Sequence, residues 1–318
     1  MDSSQWDTVS KGGIKMSAGL KGIRLAVIGG DDRELYLIPE LQKLGAYIVG
    51  VGFENASPIS GMILAPSLQD VVGEVDVLLF PMFGTDERGV VKAKYSAYPI
   101  VLNQEVLHAI PAHVPLIIGW ARPALKSVAE KMGIQLIETI TLNEITILNS
   151  IPSAEGAIQM AMEATTITIH GSQSMVLGLG RCGWTLARML RGIGAHVTGV
   201  ARKPSVLARA VEMGFHAVHL VDLADEIGRA EIIFNTVPHL ILDSVMLENV
   251  ARDAVIVDLA SIPGGTDFEY AQMLGIKALQ APGLPGIVAP KTAGRILAQI
   301  YPQLILRHLT TMNTTVQS

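Results

Sequence analysis

Short apolar runs alternate with stretches of helical period along most of the chain from Gly22 onward. Ile23–Ile28 predicts a strand by its apolar content, Gly29 to Arg33 a turn, and Glu34 to Leu44 a helix stopped by Gly45. Ala46–Gly52, Val75–Phe80, Pro115–Gly119 and Gln135–Ile137 predict further strands, with a helix from Pro123 to Met132 before the last of them. A second series starts at Ser174. It predicts a strand to Leu177, a helix over Trp184–Arg191 with Leu186, Ala187 and Leu190 on one face, and a strand over His196–Ala201. A helix over Ser205–Met213 follows, ended by Gly214, then strands at Ala230–Asn235, Ala254–Leu259 and Lys277–Leu279. Pro282–Gly286 reads as a rigid loop and Pro290–Leu309 as a terminal helix, bent near Pro302. Apolar strands alternating with helices imply parallel sheets covered by helices.

The most informative stretch is Gly178-Leu179-Gly180-Arg181-Cys182-Gly183, which joins a strand to a helix. In that setting Gly178 permits the tight turn, Gly180 lets a pyrophosphate approach the backbone, and Gly183 lets the helix pack on the strand. The helix start offers free N–H groups and partial positive charge to the phosphates. The prediction is an α/β chain of two Rossmann-like domains, parallel sheets flanked by helices, with a cleft between them. Residues 1–20 read as a flexible extension, 21–148 as a substrate or partner domain, and 149–295 as the dinucleotide domain. Residues 296–318 read as a C-terminal helix that can return to the first domain. The junction is placed at Asn149–Gly156, with Ser153 capping a helix that runs to about Thr165.

The identity of the dinucleotide is read at the end of the second strand of this domain. An acid there would accept from a ribose 2′-OH. Ala201 occupies that place, followed by Arg202 and Lys203, with Ser205 and Arg209 beyond. Two cations and a hydroxyl suit a 2′-phosphate, so NADP is expected over NAD. Two later strand ends, Thr236-Val237-Pro238 and Leu259-Ala260-Ser261, are expected to line the nicotinamide side.

Composition narrows the rest. The net charge of −5 gives no basic footprint for nucleic acid. With 49% hydrophobic and 17% charged residues, the chain is expected to be packed rather than disordered. Cys182 is the single cysteine, which excludes an intrachain disulfide and a Cys-rich metal site. No apolar run reaches the ~18 residues of a membrane span, and the start of the chain lacks a secretory pattern, so the chain reads as soluble and cytoplasmic.

Several segments together resemble the A-subunit family of dipicolinate synthase. They are Val27–Asp31, Asn149–Gly156, His170–Gln173, Asp258–Ser261, Pro263–Phe268 and above all the Pro- and Gly-rich run Ala281–Gly294. The resemblance spans Gly22 to about Ile300. It implies oxidation of a dihydrodipicolinate-type precursor to dipicolinate in sporulating bacteria, with NADP as acceptor. It also implies a flavoprotein-like B subunit of the same synthase as partner, and so a homo- or hetero-oligomer.

Such chemistry needs cations for two carboxylates and a group to handle a proton. Lys291, with Thr292 beside it, can bind a carboxylate or protonate a leaving hydroxyl, or be a surface charge. Arg33, with Asp31 in the preceding turn, can clamp the second carboxylate, or pair within that turn. Glu155 can serve as general base or merely favour a helix start; Asn149 and Ser150 can hydrogen-bond substrate or hold the turn before Pro152. His170 and His239 are weaker candidates. Two other readings remain open: a different two-domain hydroxy-acid dehydrogenase, and a nucleotide-binding regulatory protein without chemistry of its own.

Overall fold

The computed structural model describes residues 19–261 and 263–315. Most of the expected N-terminal extension, and Ile262, lie outside the described residues. Leu20, placed in that extension by the sequence, is instead fully buried and donates its N–H to the Leu44 carbonyl at 2.7 Å. The chain divides into two compact units, one ending at Ile145 and resuming at Pro290, the other Thr146–Ala289.

The first unit holds strands β1 (Arg24–Ile28), β2 (Tyr47–Val51), β3 (Met62–Leu64), β4 (Val77–Leu79), β5 (Leu116–Ile118) and β6 (Leu136–Glu138). They form one parallel sheet in the order β3-β2-β1-β4-β5-β6. Its helices are α1 (Glu34–Lys43), α2 (Gln104–Ala109) and α3 (Pro123–Lys131). β3 and α2 have no counterpart in the sequence reading. β3 is a three-residue strand with Ile63 and Leu64 exposed, too short to show a period. The cap of α2 was legible: Asn103 accepts from the Val106 N–H at 2.9 Å.

Helix α4 (Asn143–Ala164) carries the chain into the second unit. The expected junction therefore lies inside a helix, and Ser153 is not its cap. Pro152 sits in the helix interior, where it withholds one backbone N–H. Nearby hydroxyls take up carbonyls of that turn: Ser150 Oγ donates to the Ile147 carbonyl at 2.5 Å and Ser153 Oγ to the Asn149 carbonyl at 2.8 Å.

The second unit contains β7 (Gln173–Leu177), α5 (Arg181–Ile193), β8 (His196–Ala201), α6 (Pro204–Glu212), β9 (His216–His219), α7 (Leu223–Glu226), β10 (Ile232–Asn235), α8 (Ser244–Leu247), β11 (Val255–Asp258), α9 (Phe268–Met273), β12 (Lys277–Gln280) and α10 (Leu284–Val288). The sheet is parallel, in the order β12-β11-β10-β7-β8-β9. β10 and β11 are buried throughout, as strands covered on both faces must be. The expected rigid loop at Pro282–Gly286 is in part the helix α10, started by Gly283 in the left-handed region.

The last helix, α11 (Pro290–Thr315), belongs to the first unit and packs along α1. Its buried stripe includes Ala293, Leu297, Tyr301, Leu304 and Ile305. Pro302 lies within this one continuous helix. The second unit thus ends at Ala289 rather than 295, and Lys291 and Thr292 fall in the first unit. Among the described residues no helix is long and apolar enough to cross a membrane.

Candidate functional site

The sheet orders set where ligands can enter. In each sheet the strand order reverses between two adjacent central strands, β1/β4 in one and β7/β10 in the other. Beyond the carboxyl ends of such strands an open α/β sheet leaves a crevice.

In the second unit the glycine loop occupies that position. Gly178 has φ +88°, a conformation that side chains other than glycine rarely adopt. A Cβ on Gly183 would stand 1.9 Å from the Gly178 carbonyl oxygen, so the helix start lies directly on the strand end. Thr236 Oγ1, at the end of β10, lies 3.0 Å from the Leu177 carbonyl and 2.9 Å from that of Gly178, and ties the loop to the neighbouring strand. A Cβ on Gly180 would meet nothing within 4 Å. The three glycines therefore differ in physical role: two are forced by contact or conformation, and Gly180 keeps space open beside the first N–H groups of α5. A pyrophosphate fits that space.

Of the remaining cofactor candidates, Leu179 is buried over Gly199 and offers its backbone rather than its side chain. Arg181 donates from Nη1 to Thr146 Oγ1 at 2.8 Å. Burial pushes the Cys182 thiol up to about 11, so it stays protonated and its backbone is the useful part. At the end of β8, Ala201 is half-buried, while Arg202, Lys203 and Ser205 are exposed. The Arg202 carbonyl lies 2.9 Å from His219 Nε2, which fixes this loop, and no ion pair among the described residues occupies Arg202 or Lys203. Val237 touches Gly178 from the next strand end, where Pro238 is exposed. Asp258 anchors the third: it is fully buried and accepts from Asn235 Nδ2, the Ala260 and Gly265 N–H groups and Thr266 Oγ1 at 2.7–3.0 Å. That network holds Leu259 and Ala260 and leaves Ser261 exposed beyond them.

Helices α4 and α5 run side by side in the same direction. Thr146 meets Arg181, Ser150 Oγ lies 2.6 Å from Thr185 Oγ1, and Glu155 lies beside Met189 and Ile193 further along. This corrects two expectations. Ser150 is 2% exposed and sealed in the helix seam, so its hydroxyl is not a substrate ligand. Glu155 borders an apolar surface groove with Ile158, Met162, Met189 and Ile193. Met189 and Ile193 lie 8 and 12 positions past Arg181, the first residue of α5, so ~12–18 Å along the helix separates Glu155 from the start of that helix. Glu155 is not placed to act as a base there. Asn149 Oδ1, in contrast, is buried with no hydrogen-bond partner among the described residues. His170 bonds the Ile193 carbonyl at 3.1 Å, a structural contact.

In the first unit the crevice between β1 and β4 is lined by charge. Arg33 is 4% exposed and forms a two-bond fork with Asp31, Nε and Nη2 each donating at 2.8 Å. Burial pulls Asp31 up, but the Arg33 hydrogen bonds and charge outweigh it and hold the carboxyl below the usual range. The fork leaves the Nη1 edge of Arg33 unused by any hydrogen bond among the described residues. Glu34, the first residue of α1, is buried and accepts from the Asp31 N–H at 2.7 Å. Burial pushes its carboxyl up to about 7, against the pull of Arg33. Phe83, past the end of β4, has the Arg33 guanidinium 5.1 Å from its ring centre and the Lys92 ammonium at 3.7 Å. Gly294 of α11 lies on the Arg33 carbonyl, where a Cβ would come within 2.4 Å. The first turn of α11, with Lys291 and Thr292 exposed, therefore abuts the Asp31–Arg33 turn.

Residues 24–140 match the family model described as the N-terminal domain of the dipicolinate synthase A subunit. Residues 150–261 match the NAD binding domain of D-isomer specific 2-hydroxyacid dehydrogenases. The dipicolinate synthase A subunit of Bacillus subtilis is 42% identical over 287 residues, 90% of this chain and 97% of the relative. The chain belongs to the dipicolinate synthase A-subunit family. The crystal structure of the family member from Bacillus halodurans superposes with a TM-score of 0.87 at 40% identity, covering 90% of this chain and 99% of that one. The B. subtilis structure gives 0.86 at 40% identity, covering 93% and 100%.

The chain thus carries the dehydrogenase-type dinucleotide domain of this family on one unit and a charged switch-point crevice on the other. The sequence reading did not single out Glu34, Phe83 or Lys92, which the first unit brings beside Arg33 at this crevice. A usable signal existed. The strand-end rule that finds the glycine loop also selects Pro81–Gly84 and Gly119–Arg122, which follow β4 and β5.

Proposed function

We propose that this dipicolinate synthase A subunit oxidises a cyclic dihydro- or hydroxytetrahydro-dicarboxylate to pyridine-2,6-dicarboxylate with NADP. Work with a flavoprotein-like B subunit during sporulation belongs to the same reading. What supports it is the exposed Arg202–Lys203 pair just past β8, with Ala201 rather than an acid before it, in a chain 42% identical to the dipicolinate synthase A subunit of Bacillus subtilis. A 2′-phosphate there meets two cations and the Ser205 hydroxyl, with no acid to repel it.

A dinucleotide bound at Gly178–Gly183 supplies the acceptor for the electron pair of the ring C–H bond. The protein does the rest: it holds the ring, keeps water out and takes up one proton as the ring becomes aromatic. The hydroxylated substrate must also lose water. Lys291, exposed in the first turn of α11 with Thr292 beside it, is the chain's candidate for protonating that leaving hydroxyl. Asn149 offers its unpaired amide oxygen to a donor. The test is a turnover assay with freshly generated precursor and NADP, following pyridine absorbance, with and without the B subunit. Product from the chain alone supports a complete site; product only with the B subunit present moves the catalytic groups to a shared interface. No product in either case, with NADPH still bound, refutes the reading.

A further inference from the structure

Two cation–aromatic pairs stand on adjoining loops at the carboxyl edge of the first sheet. Lys92 is exposed and rests its ammonium 3.7 Å above the centre of Phe83. Arg122 rests its guanidinium 4.6 Å from the ring centre of Trp120, which is 36% exposed. The loops touch: a Cβ on Gly84 would lie 1.9 Å from the Trp120 carbonyl oxygen, and one on Gly119 would lie 2.0 Å from that of Met82. Lys92 is delivered by a short bridge to the glycine turn, where the Gly30 N–H donates to the Lys92 carbonyl at 2.8 Å. Neither cation is hydrogen-bonded to a carboxylate among the described residues, and the Arg122 Nε donates only weakly, to the Thr85 carbonyl at 3.4 Å. Lys92 has no ion pair among the described residues, and Arg122 reaches only the largely exposed Glu87, at 3.9 Å. Asp31 is already engaged by the Arg33 fork. Cations lodged on aromatic faces, with donors left over, fit an anion that is also flat.

We propose that this edge is the recognition site for the ring dicarboxylate. Lys92, backed by the Nη1 edge of Arg33, takes one carboxylate; Arg122 takes the other; Phe83 and Trp120 flank the ring. The inference rests on the reading that the chain acts on such a ring, and it names the residues that select it. The probe is pyridine-2,6-dicarboxylate, titrated by calorimetry into the full chain in the presence of NADPH. Lys92→Met and Arg122→Met each weaken its binding at least ten-fold, while NADPH affinity and the folding midpoint stay native and Lys92→Arg restores most of the loss. If the native chain binds the probe and both Met variants bind it equally well, the site is wrong and the functional reading survives. If the native chain neither binds the probe nor turns over precursor, with or without the B subunit, the functional reading fails first and this inference with it. Loss of NADPH binding together with probe binding would mark the edge as structural and overturn the assignment.

Discussion

Glu34→Gln should flatten the pH dependence of stability between about pH 4.5 and 7. The Glu34 carboxyl is buried at the start of α1, and burial raises it from the ordinary 4.5 to about 7. Between those values the folded chain keeps a proton that the unfolded chain has released. Stability therefore falls as pH rises through the window, and the penalty is complete above pH 7. At ~1.4 kcal/mol per pH unit, the span from 4.5 to about 7 is worth ~3 kcal/mol. Gln is never ionised, and its amide oxygen can still accept from the Asp31 N–H. The assay is urea denaturation of both proteins at pH 5 and pH 8, comparing how much each loses. Asp31 titrates below its ordinary 3.8, outside this range. His308, which burial pulls down, is common to both proteins and cancels. Part of the penalty is already present at pH 5, so the native chain should lose ~2.5 kcal/mol more than the variant. Equal losses would refute the claim that Glu34 is protonated in the folded state below pH 7.

Gly183→Ala drives a methyl onto the Gly178 carbonyl; an overpacking cost of ~1–3 kcal/mol should lower the melting temperature and weaken NADPH binding, and native values for both would show that helix and strand are not in contact. Arg202→Asp should shift the ratio of NADP to NAD affinity at least ~ten-fold toward NAD, the scale of a lost charged hydrogen bond; equal losses for both dinucleotides would remove the 2′-phosphate account. Lys291→Ala should lower turnover or dicarboxylate affinity with NADPH binding intact, whereas a change confined to the folding midpoint would make Lys291 structural. With its thiol at about 11, half-buried Cys182 should be only ~0.1% thiolate at pH 8 and resist iodoacetamide in the folded state; alkylation at the rate of a free cysteine thiol would contradict that upward shift.

The sequence by itself determined the strands of both sheets, apart from β3 and β9, together with the dinucleotide loop and the missing acid at Ala201. These are local signals. An apolar run between glycines, a Gly-x-Gly-x-x-Gly turn and a residue at a strand end are each written within about ten positions. Tertiary structure decided what no window of that length contains. Arg33, Phe83 and Trp120 are neighbours at one sheet edge because the strand order places β4 between β1 and β5. Gly294 reaches Arg33 because α11 returns to pack on α1. The same distance in sequence explains the errors. Ser150 and Glu155 carry useful chemistry by residue type, but the side-by-side run of α4 along α5 seals one in the seam and turns the other toward a Met-lined groove. Glu34 looked like an ordinary helix start, and only burial beneath α11, with Arg33 and Tyr301 around it, turns it into a carboxyl that holds its proton near neutrality. Side-chain identity is local information; desolvation and charge proximity are properties of the packed chain, and they set what each group can do.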